Sequence, residues 1–228
     1  MKTVHFVRHG ETEQNKDGIW QGHTNTQLSK IGKAQAKLLS DRLNLKNQTV
    51  FTSDLARAKE TAYFLSDSPT VRENLREINV GDFTGKSVKE TYSDNLDIFD
   101  ALQDDTYVFP NGESVQEFKQ RVQQEVDYIF ENIDEDSECI VVTHGFFIGT
   151  AIGLVLGFNQ YPYPIGNIQN TSVSTVIKRD SVMQVNKFND AIHLPNSYID
   201  YPSKDKSRIL TFIRHGQTDS NTQGVWQG

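Results

Sequence analysis

Alternating apolar and polar stretches divide the chain into predicted strands and helices. Three short apolar runs are typical of buried strands: "TVHFVRH" (3–9), "TVFTS" (49–53) and "ECIVVTH" (138–144). Four longer segments have the spacing or the apolar length of helices: 29–43, 54–66, 113–133 and 146–157. Residues 172–188 predict a hairpin that turns near Arg179 and Asp180. Strands that alternate with helices predict an α/β fold with a mostly parallel central sheet.

Size and charge narrow the class of protein. The chain has 228 residues, of which 36% are hydrophobic, enough for the core of one domain. Its net charge of −7 disfavours nucleic acid and anionic membranes as partners. The longest apolar run, 146–158, is shorter than the roughly 20 residues of a membrane-spanning helix. We also find no signal-peptide pattern and a single cysteine, Cys139, and so expect a cytoplasmic protein.

A repeat indicates how the chain is organised. When residues 208–228 are set under residues 2–22, 10 of the 21 positions are identical, with no gap. We therefore predict a domain over residues 1–205, followed at 206–228 by the end of a linker and the truncated start of a second copy. That copy lacks the later partners of its Arg214 and His215, so we expect it to be inert. Its apolar strand could exchange with residues 3–9 of another molecule, which is our hypothesis for a homodimer.

Two predicted strands end in histidine, at His9 and His144. In open α/β sheets ligands bind beyond the carboxyl ends of the strands, so the two rings are expected to meet in one crevice. Arg8 adjoins the first histidine, Arg57 follows the strand 49–53, and Glu77 lies in a predicted loop. Guanidinium groups suit phosphate or carboxylate, so the set suits phosphoryl transfer without a metal ion.

Six blocks resemble, in order, those of the histidine phosphatase superfamily: "FVRHGETEQN", "WQGHTNTQLSKIGKAQAKLL", "FTSDLARAKETA", "LREINVGDFTG", "PNGESVQEFKQRV" and "IVVTHGFFI". The resemblance covers essentially residues 1–190. It implies a phosphoglycerate-mutase-like fold, a three-layer α/β sandwich with a mostly parallel central sheet. It also implies a reaction that uses neither a metal ion nor another cofactor.

The resemblance implies a role for each matching residue. His9 is the nucleophile that becomes phosphorylated, and Arg8, Arg57 and His144 surround the phosphoryl group. Glu77 gives a proton to the leaving oxygen and later activates water. A structural histidine and a solvated loop carboxylate are the alternatives for His9 and Glu77.

Four further residues are expected to bind substrate. Asn15 would donate a hydrogen bond to the phosphoryl group, although it could instead cap a turn. Gln21, Gly22 and Gly145 are expected to line the pocket. Trp20 is expected to pack in the core.

The family contains phosphatases and mutases. A mutase needs extra cations for a second anionic group, but residues 81–113 contain eight Asp and Glu residues against two cations, Lys86 and Lys89. We therefore expect a phosphatase that hydrolyses a small phosphorylated metabolite through a phosphohistidine. The alternatives are a phosphoglycerate mutase and, from another class, a non-catalytic phospho-ligand binder or scaffold.

Overall fold

The structure, a computed structural model, describes residues 1–43, 48–93, 104–158, 167–195 and 198. Its described strands form one six-stranded sheet: β1 (Lys2–Arg8), β2 (Thr49–Thr52), β3 (Thr70–Val71), β4 (Glu138–Thr143), β5 (Val173–Arg179) and β6 (Val182–Asp190). The strand order is β3-β2-β4-β1-β5-β6. The first four of these pair in parallel, and the β5–β6 hairpin joins β1 in the antiparallel direction. The predicted α/β fold with a mostly parallel sheet is confirmed.

The described α-helices are α1 (Glu13–Lys16), α2 (Lys30–Leu43), α3 (Ala56–Ala62), α4 (Val88–Ser93), α5 (Val115–Glu131) and α6 (Gly145–Val155). Two 3-10 turns cover Glu73–Leu75 and Gly81–Phe83. None of the helices in the described part of the chain is long and apolar enough to cross a membrane.

Two helix starts differ in how well sequence pattern predicts them. Ser29 precedes α2, and its Oγ accepts from the backbone N–H of Gly32 at 3.0 Å, as an N-cap does. The predicted start of α3 at Asp54 is wrong, because the helix begins at Ala56. The Asp54 carboxylate instead forms a two-pronged ion pair with Arg76, 22 residues further along the chain.

The sheet separates two hydrophobic cores, because successive side chains of a strand point to opposite faces. Phe6 and Val141 belong to the core on the face covered by α5 and α6. Val7 and Val142 belong to the core on the other face, together with residues of α2 and α3. This arrangement is the predicted three-layer sandwich.

Some predictions concern residues that the structure does not describe. The linker end and second repeat, at 206–228, lie outside the described residues, and so does the strand exchange proposed for a homodimer. Residues 94–103 of the acidic segment also lie outside them.

Candidate active site

The two strand-end histidines meet where β1 and β4 end. In the parallel register of these strands Arg8 is opposite Thr143, so the next residue of each strand is a histidine beside its counterpart. The backbone N–H of His9 donates to the Thr143 carbonyl at 2.9 Å. The ring centroids of His9 and His144 are 5.2 Å apart, and both side chains are buried.

One of the two nitrogens of the His9 ring is occupied by a hydrogen bond. Nδ1 lies 2.7 Å from the Gly10 carbonyl oxygen, which can only accept, so Nδ1 bears the proton and Nε2 keeps its lone pair. Burial lowers the pKa of His9 well below the ordinary value of histidine, and the charges of Arg57 and Arg8 lower it further. The ring is therefore neutral with an available Nε2, as a nucleophile requires.

Arg57 is a buried cation held by a loop. Its Nη1 donates to the Thr24 carbonyl and its Nη2 to the Gly22 carbonyl, each at 2.8 Å. Burial lowers its pKa to about 10, which leaves the guanidinium charged at neutral pH. Its Nε is buried without a hydrogen-bond partner among the described residues. This guanidinium can therefore attract an anion.

Arg8 and the backbone of His9 are braced by the segment before β5. The Arg8 guanidinium donates from Nη1 to the Ile168 carbonyl. The Asn170 side chain donates to the His9 carbonyl at 2.9 Å, and the Thr171 N–H donates to the Arg8 carbonyl at 2.9 Å. Sequence reasoning missed these contacts, because about 160 residues separate the partners.

The Glu77 carboxylate lies at the N-terminus of α6. Oε2 accepts from the backbone N–H of Phe146 at 3.1 Å, and Oε1 accepts from those of Phe147 and Ile78 at 3.2 Å. Burial raises the pKa of Glu77, while these backbone donors and the charge of Arg57 oppose the rise. The direction agrees with that expected for a general acid.

The backbone of Glu77 is fixed by two side chains that sequence reasoning did not assign to the site. His23 donates from Nε2 to the Glu77 carbonyl at 2.8 Å, and burial lowers its pKa. Arg121 of α5 donates to the carbonyls of Arg76 and Glu77 at 2.9 and 3.2 Å. Glu113 holds the same guanidinium through two contacts of 2.9 and 2.8 Å.

His144 has one partnered and one unpartnered ring nitrogen. Nε2 lies 3.0 Å from the hydroxyl of Ser53, the residue that follows β2. Nδ1 is buried without a hydrogen-bond partner in the part of the chain that the structure describes. Burial lowers the pKa of His144 well below its ordinary value, and Arg57 is the next largest cause.

The predicted substrate-binding residues have varied surroundings. Asn15 Oδ1 accepts from the backbone N–H of Thr12 at 3.1 Å in a capping box, which is the alternative predicted for this residue. The Gln21 side-chain carbonyl also accepts from Thr12, at 3.1 Å. Gly22 has φ +47° and holds Arg57 through its carbonyl. Gly145 is the first residue of α6, where an added Cβ would lie 3.5 Å from the Nε of Arg8.

Trp20 packs in the core as expected, with its ring 6.0 Å from that of Phe146 and 6.5 Å from that of Phe109. Gly10 lets the loop after β1 approach α2 closely. A Cβ on it would lie 2.6 Å from the Gly32 carbonyl oxygen. Within the described ranges, no three His, Cys, Asp or Glu residues are grouped as a metal site requires.

Comparison with known proteins relates this geometry to a family. Residues 4–191 match the model of the histidine phosphatase superfamily (branch 1). The chain belongs to that superfamily. It is 31% identical over 199 residues to a metal-independent phosphoserine phosphatase of Arabidopsis thaliana, covering 83% of this chain and 82% of the relative. It is 30% identical over 188 residues to a probable phosphoglycerate mutase, GpmB, of Erwinia tasmaniensis, and this match covers 79% of this chain and 87% of the relative.

Solved structures support the same fold. The YhfR protein of Bacillus stearothermophilus is 27% identical, with a TM-score of 0.76, and the match covers 85% of this chain and 99% of YhfR. A phosphoserine phosphatase of Entamoeba histolytica, in complex with phosphoserine, is 26% identical with a TM-score of 0.73. That match covers 86% of this chain and 100% of the phosphatase chain. The family and these relatives support an enzyme that is a phosphatase or a mutase.

Proposed function

We propose that this protein hydrolyses a small phosphorylated metabolite, a phosphomonoester, through a phosphohistidine on His9. The observation that supports this most is the neutral His9 ring, whose Nδ1 donates to the Gly10 carbonyl while Nε2 keeps its lone pair. His144 lies beside that ring and the charges of Arg57 and Arg8 act on it, and these cations and N–H donors suit the phosphoryl oxygens.

In the first step His9 Nε2 attacks phosphorus, the bond to the leaving oxygen breaks, and Glu77 gives its proton to that oxygen. The transferring group spreads negative charge over three oxygens, so fixed positive groups stabilise the transition state. A positioned general acid contributes about 10²–10⁴-fold to the rate. The raised pKa of Glu77 favours the protonated form that this step needs.

In the second step the Glu77 carboxylate removes a proton from water. The water oxygen attacks phosphorus, the bond to Nε2 breaks, and inorganic phosphate leaves His9 neutral. The brace of His23 and Arg121 on the Glu77 backbone suits a group that must serve both steps from one position.

The acidic segment at 81–113 still favours hydrolysis over mutase activity, although partners neutralise some of its charge. Glu113 pairs with Arg121, and Asp105 pairs with Lys119 at 2.7 Å. Lys86, one of the two cations there, has its Nζ 5.2 Å from the centre of the Phe83 ring. The phosphoserine phosphatases among the relatives support a phosphomonoester of similar size as substrate.

A phosphoglycerate mutase is the second candidate, and the similarity to GpmB supports it. Release of inorganic phosphate from phosphoserine and phosphoglycerates should be measured beside the interconversion of 2- and 3-phosphoglycerate. We expect phosphate release to be faster than interconversion. Interconversion that is faster than phosphate release would instead indicate a phosphoglycerate mutase.

A non-catalytic binder is tested with p-nitrophenyl phosphate. The wild type should turn it over, and His9→Ala should fall to background. His5→Ala is the matched control and should keep the activity. His5 lies in β1, the strand that leads into His9, and its ring nitrogens lie within hydrogen-bond distance of Thr175 and Glu138. Equal background rates in all three proteins would favour the binder.

We also propose that residues 1–205 form the catalytic domain and that 206–228 belong to an inert second copy. The family match at 4–191 and the repeat support this division. Removal of residues 207–228 should preserve activity, and a changed oligomeric state would support the strand-exchanged homodimer. The net charge of −7 supports our proposal that neither nucleic acid nor a membrane is a partner. The free, buried Cys139 supports our proposal of a cytoplasmic location.

A further inference from the structure

Ser53 is a fully buried residue at the carboxyl end of β2, and its hydroxyl contacts His144. β2 is next to β4 on the side away from β1. The backbone N–H of Ser53 donates to the Val142 carbonyl at 3.0 Å, which holds the residue against the end of β4. The hydroxyl and His9 therefore flank His144 from opposite neighbouring strands.

The hydrogen bonds of Ser53 determine where its proton goes. Its Oγ accepts from the backbone N–H of Leu55 at 3.3 Å and lies 3.0 Å from Nε2 of His144. The N–H of Leu55 can only donate, so among the described residues the His144 nitrogen is the acceptor left for the hydroxyl proton. A buried hydroxyl proton without an acceptor is unfavourable. Ser53 therefore donates to His144 Nε2.

A neutral His144 that accepts at Nε2 must bear its proton on Nδ1. That nitrogen is buried and has no hydrogen-bond partner among the described residues. The two nitrogens of an imidazole point in widely divergent directions. Nδ1 therefore points away from Ser53, and the His9 ring, on the β1 side of β4, lies 5.2 Å from the His144 ring between centroids.

We propose that Ser53 is a positioning residue that fixes the tautomer of His144, so that the Nδ1–H donates to a phosphoryl oxygen. The identity of the oxygen rests on the proposed function, whereas the tautomer rests on the hydrogen bonds alone. The two rings then have complementary tasks. His9 directs a lone pair at phosphorus from Nε2, and His144 directs a proton at the oxygen from Nδ1.

Nitrogen-15 NMR of the histidine rings tests the tautomer directly, with the His144 signals assigned by loss in His144→Gln. We expect the wild-type protein to have Nδ1 protonated and Nε2 unprotonated. Ser53→Ala should shift the ring toward the other tautomer or a mixture. Thr52→Val is the matched control, because it removes a buried hydroxyl that donates to the Ser53 carbonyl and not to His144, and it should leave the tautomer unchanged.

Vanadate, a phosphate analogue, supplies a second readout. Ser53→Ala should weaken vanadate inhibition by about tenfold, since loss of one oriented donor at a phosphoryl-like anion typically costs 10²-fold or more and a mixed tautomer loses part of it. Thr52→Val should leave the inhibition constant within about twofold of wild type.

Protonated Nε2 in the wild-type protein would overturn the inference without any variant, even if Ser53→Ala fails to fold. An unchanged tautomer and unchanged vanadate inhibition in Ser53→Ala would overturn it as well. Either outcome leaves phosphorylation of His9 unaffected. Conversely, absence of a phosphohistidine would remove the proposed function and leave the tautomer in place.

Discussion

Replacement of Glu77 by glutamine removes the carboxyl proton that the proposed reaction gives to the leaving oxygen. The Glu77 carboxylate accepts three backbone N–H groups, from Phe146, Phe147 and Ile78. Glutamine has one side-chain oxygen, so it can keep the contacts of one carboxylate oxygen and loses those of the other. The variant therefore isolates proton transfer with a small local change.

The expected loss follows from these contacts. A general acid contributes about 10²–10⁴-fold, which corresponds to about 3–5 kcal/mol of transition-state free energy. The backbone N–H that loses its carboxylate oxygen is left buried without an acceptor, which costs about 1–3 kcal/mol of folding free energy. Removal of a buried carboxylate offsets that cost, because burial disfavours the charged form. The variant should therefore fold, with a free energy of unfolding near that of the wild type.

The assay compares two leaving groups. With an alkyl phosphomonoester such as phosphoserine, kcat/KM should fall about 10²–10⁴-fold, because the alkoxide needs a proton. With p-nitrophenyl phosphate the loss in the phosphorylation step should be less than about tenfold, because the nitrophenolate leaves without one. Glu73→Gln is the matched control, since the exposed Glu73 carboxylate forms, among the described residues, a single ion pair, with Arg76 at 3.8 Å, and both rates should persist.

Equal losses on the two substrates would refute the role of Glu77 as proton donor and indicate a general defect of the site. If Glu77→Gln hydrolysed the alkyl ester at the wild-type rate, that role would be refuted more directly. The pH profile is an independent check. Since burial raises the pKa of Glu77, kcat/KM should fall as pH rises through that value. The decrease should be absent from Glu77→Gln.

Three further predictions concern other parts of the structure. Arg121→Met should lower kcat about 10- to 100-fold with little change in KM, because Arg121 braces the Glu77 carbonyl; a KM effect alone would contradict this. Burial lowers the pKa of His193 to about 4, so the unfolded state binds the extra proton and the free energy of unfolding should fall as pH drops from about 6.5 toward 4. His193→Gln should flatten that decrease in urea titrations, and an unchanged slope would contradict it. Burial raises the pKa of the Cys139 thiol to about 12, so thiol reagents should label it only after unfolding, as mass spectrometry can test.

The sheet and the pair of histidines could be predicted because their signals are local. Continuous apolar runs identified β1 and β4, and the rule for parallel strands brought their ends together. The register that sets Arg8 opposite Thr143 then makes His9 and His144 neighbours.

The residues that support the site could not be predicted from one sequence. The contacts of His23 and Arg121 with the Glu77 carbonyl link positions 54 and 44 residues apart. The contact of Ser53 with His144 spans 91 residues. No period or motif encodes such pairs. The prediction that a helix begins at Asp54 is wrong for the same reason. The Asp54 carboxylate binds Arg76, which is 22 residues away and is not part of the local sequence pattern.

The most direct test of covalent catalysis is rapid quenching of the enzyme with a phosphorus-labelled substrate, followed by mapping of the label. We predict a transient, acid-labile phosphoryl group on Nε2 of His9, since Nδ1 is committed to the Gly10 carbonyl. It should form within one turnover and be absent from His9→Ala. Steady phosphate release with no label on His9, or with the label on another residue, would contradict the account.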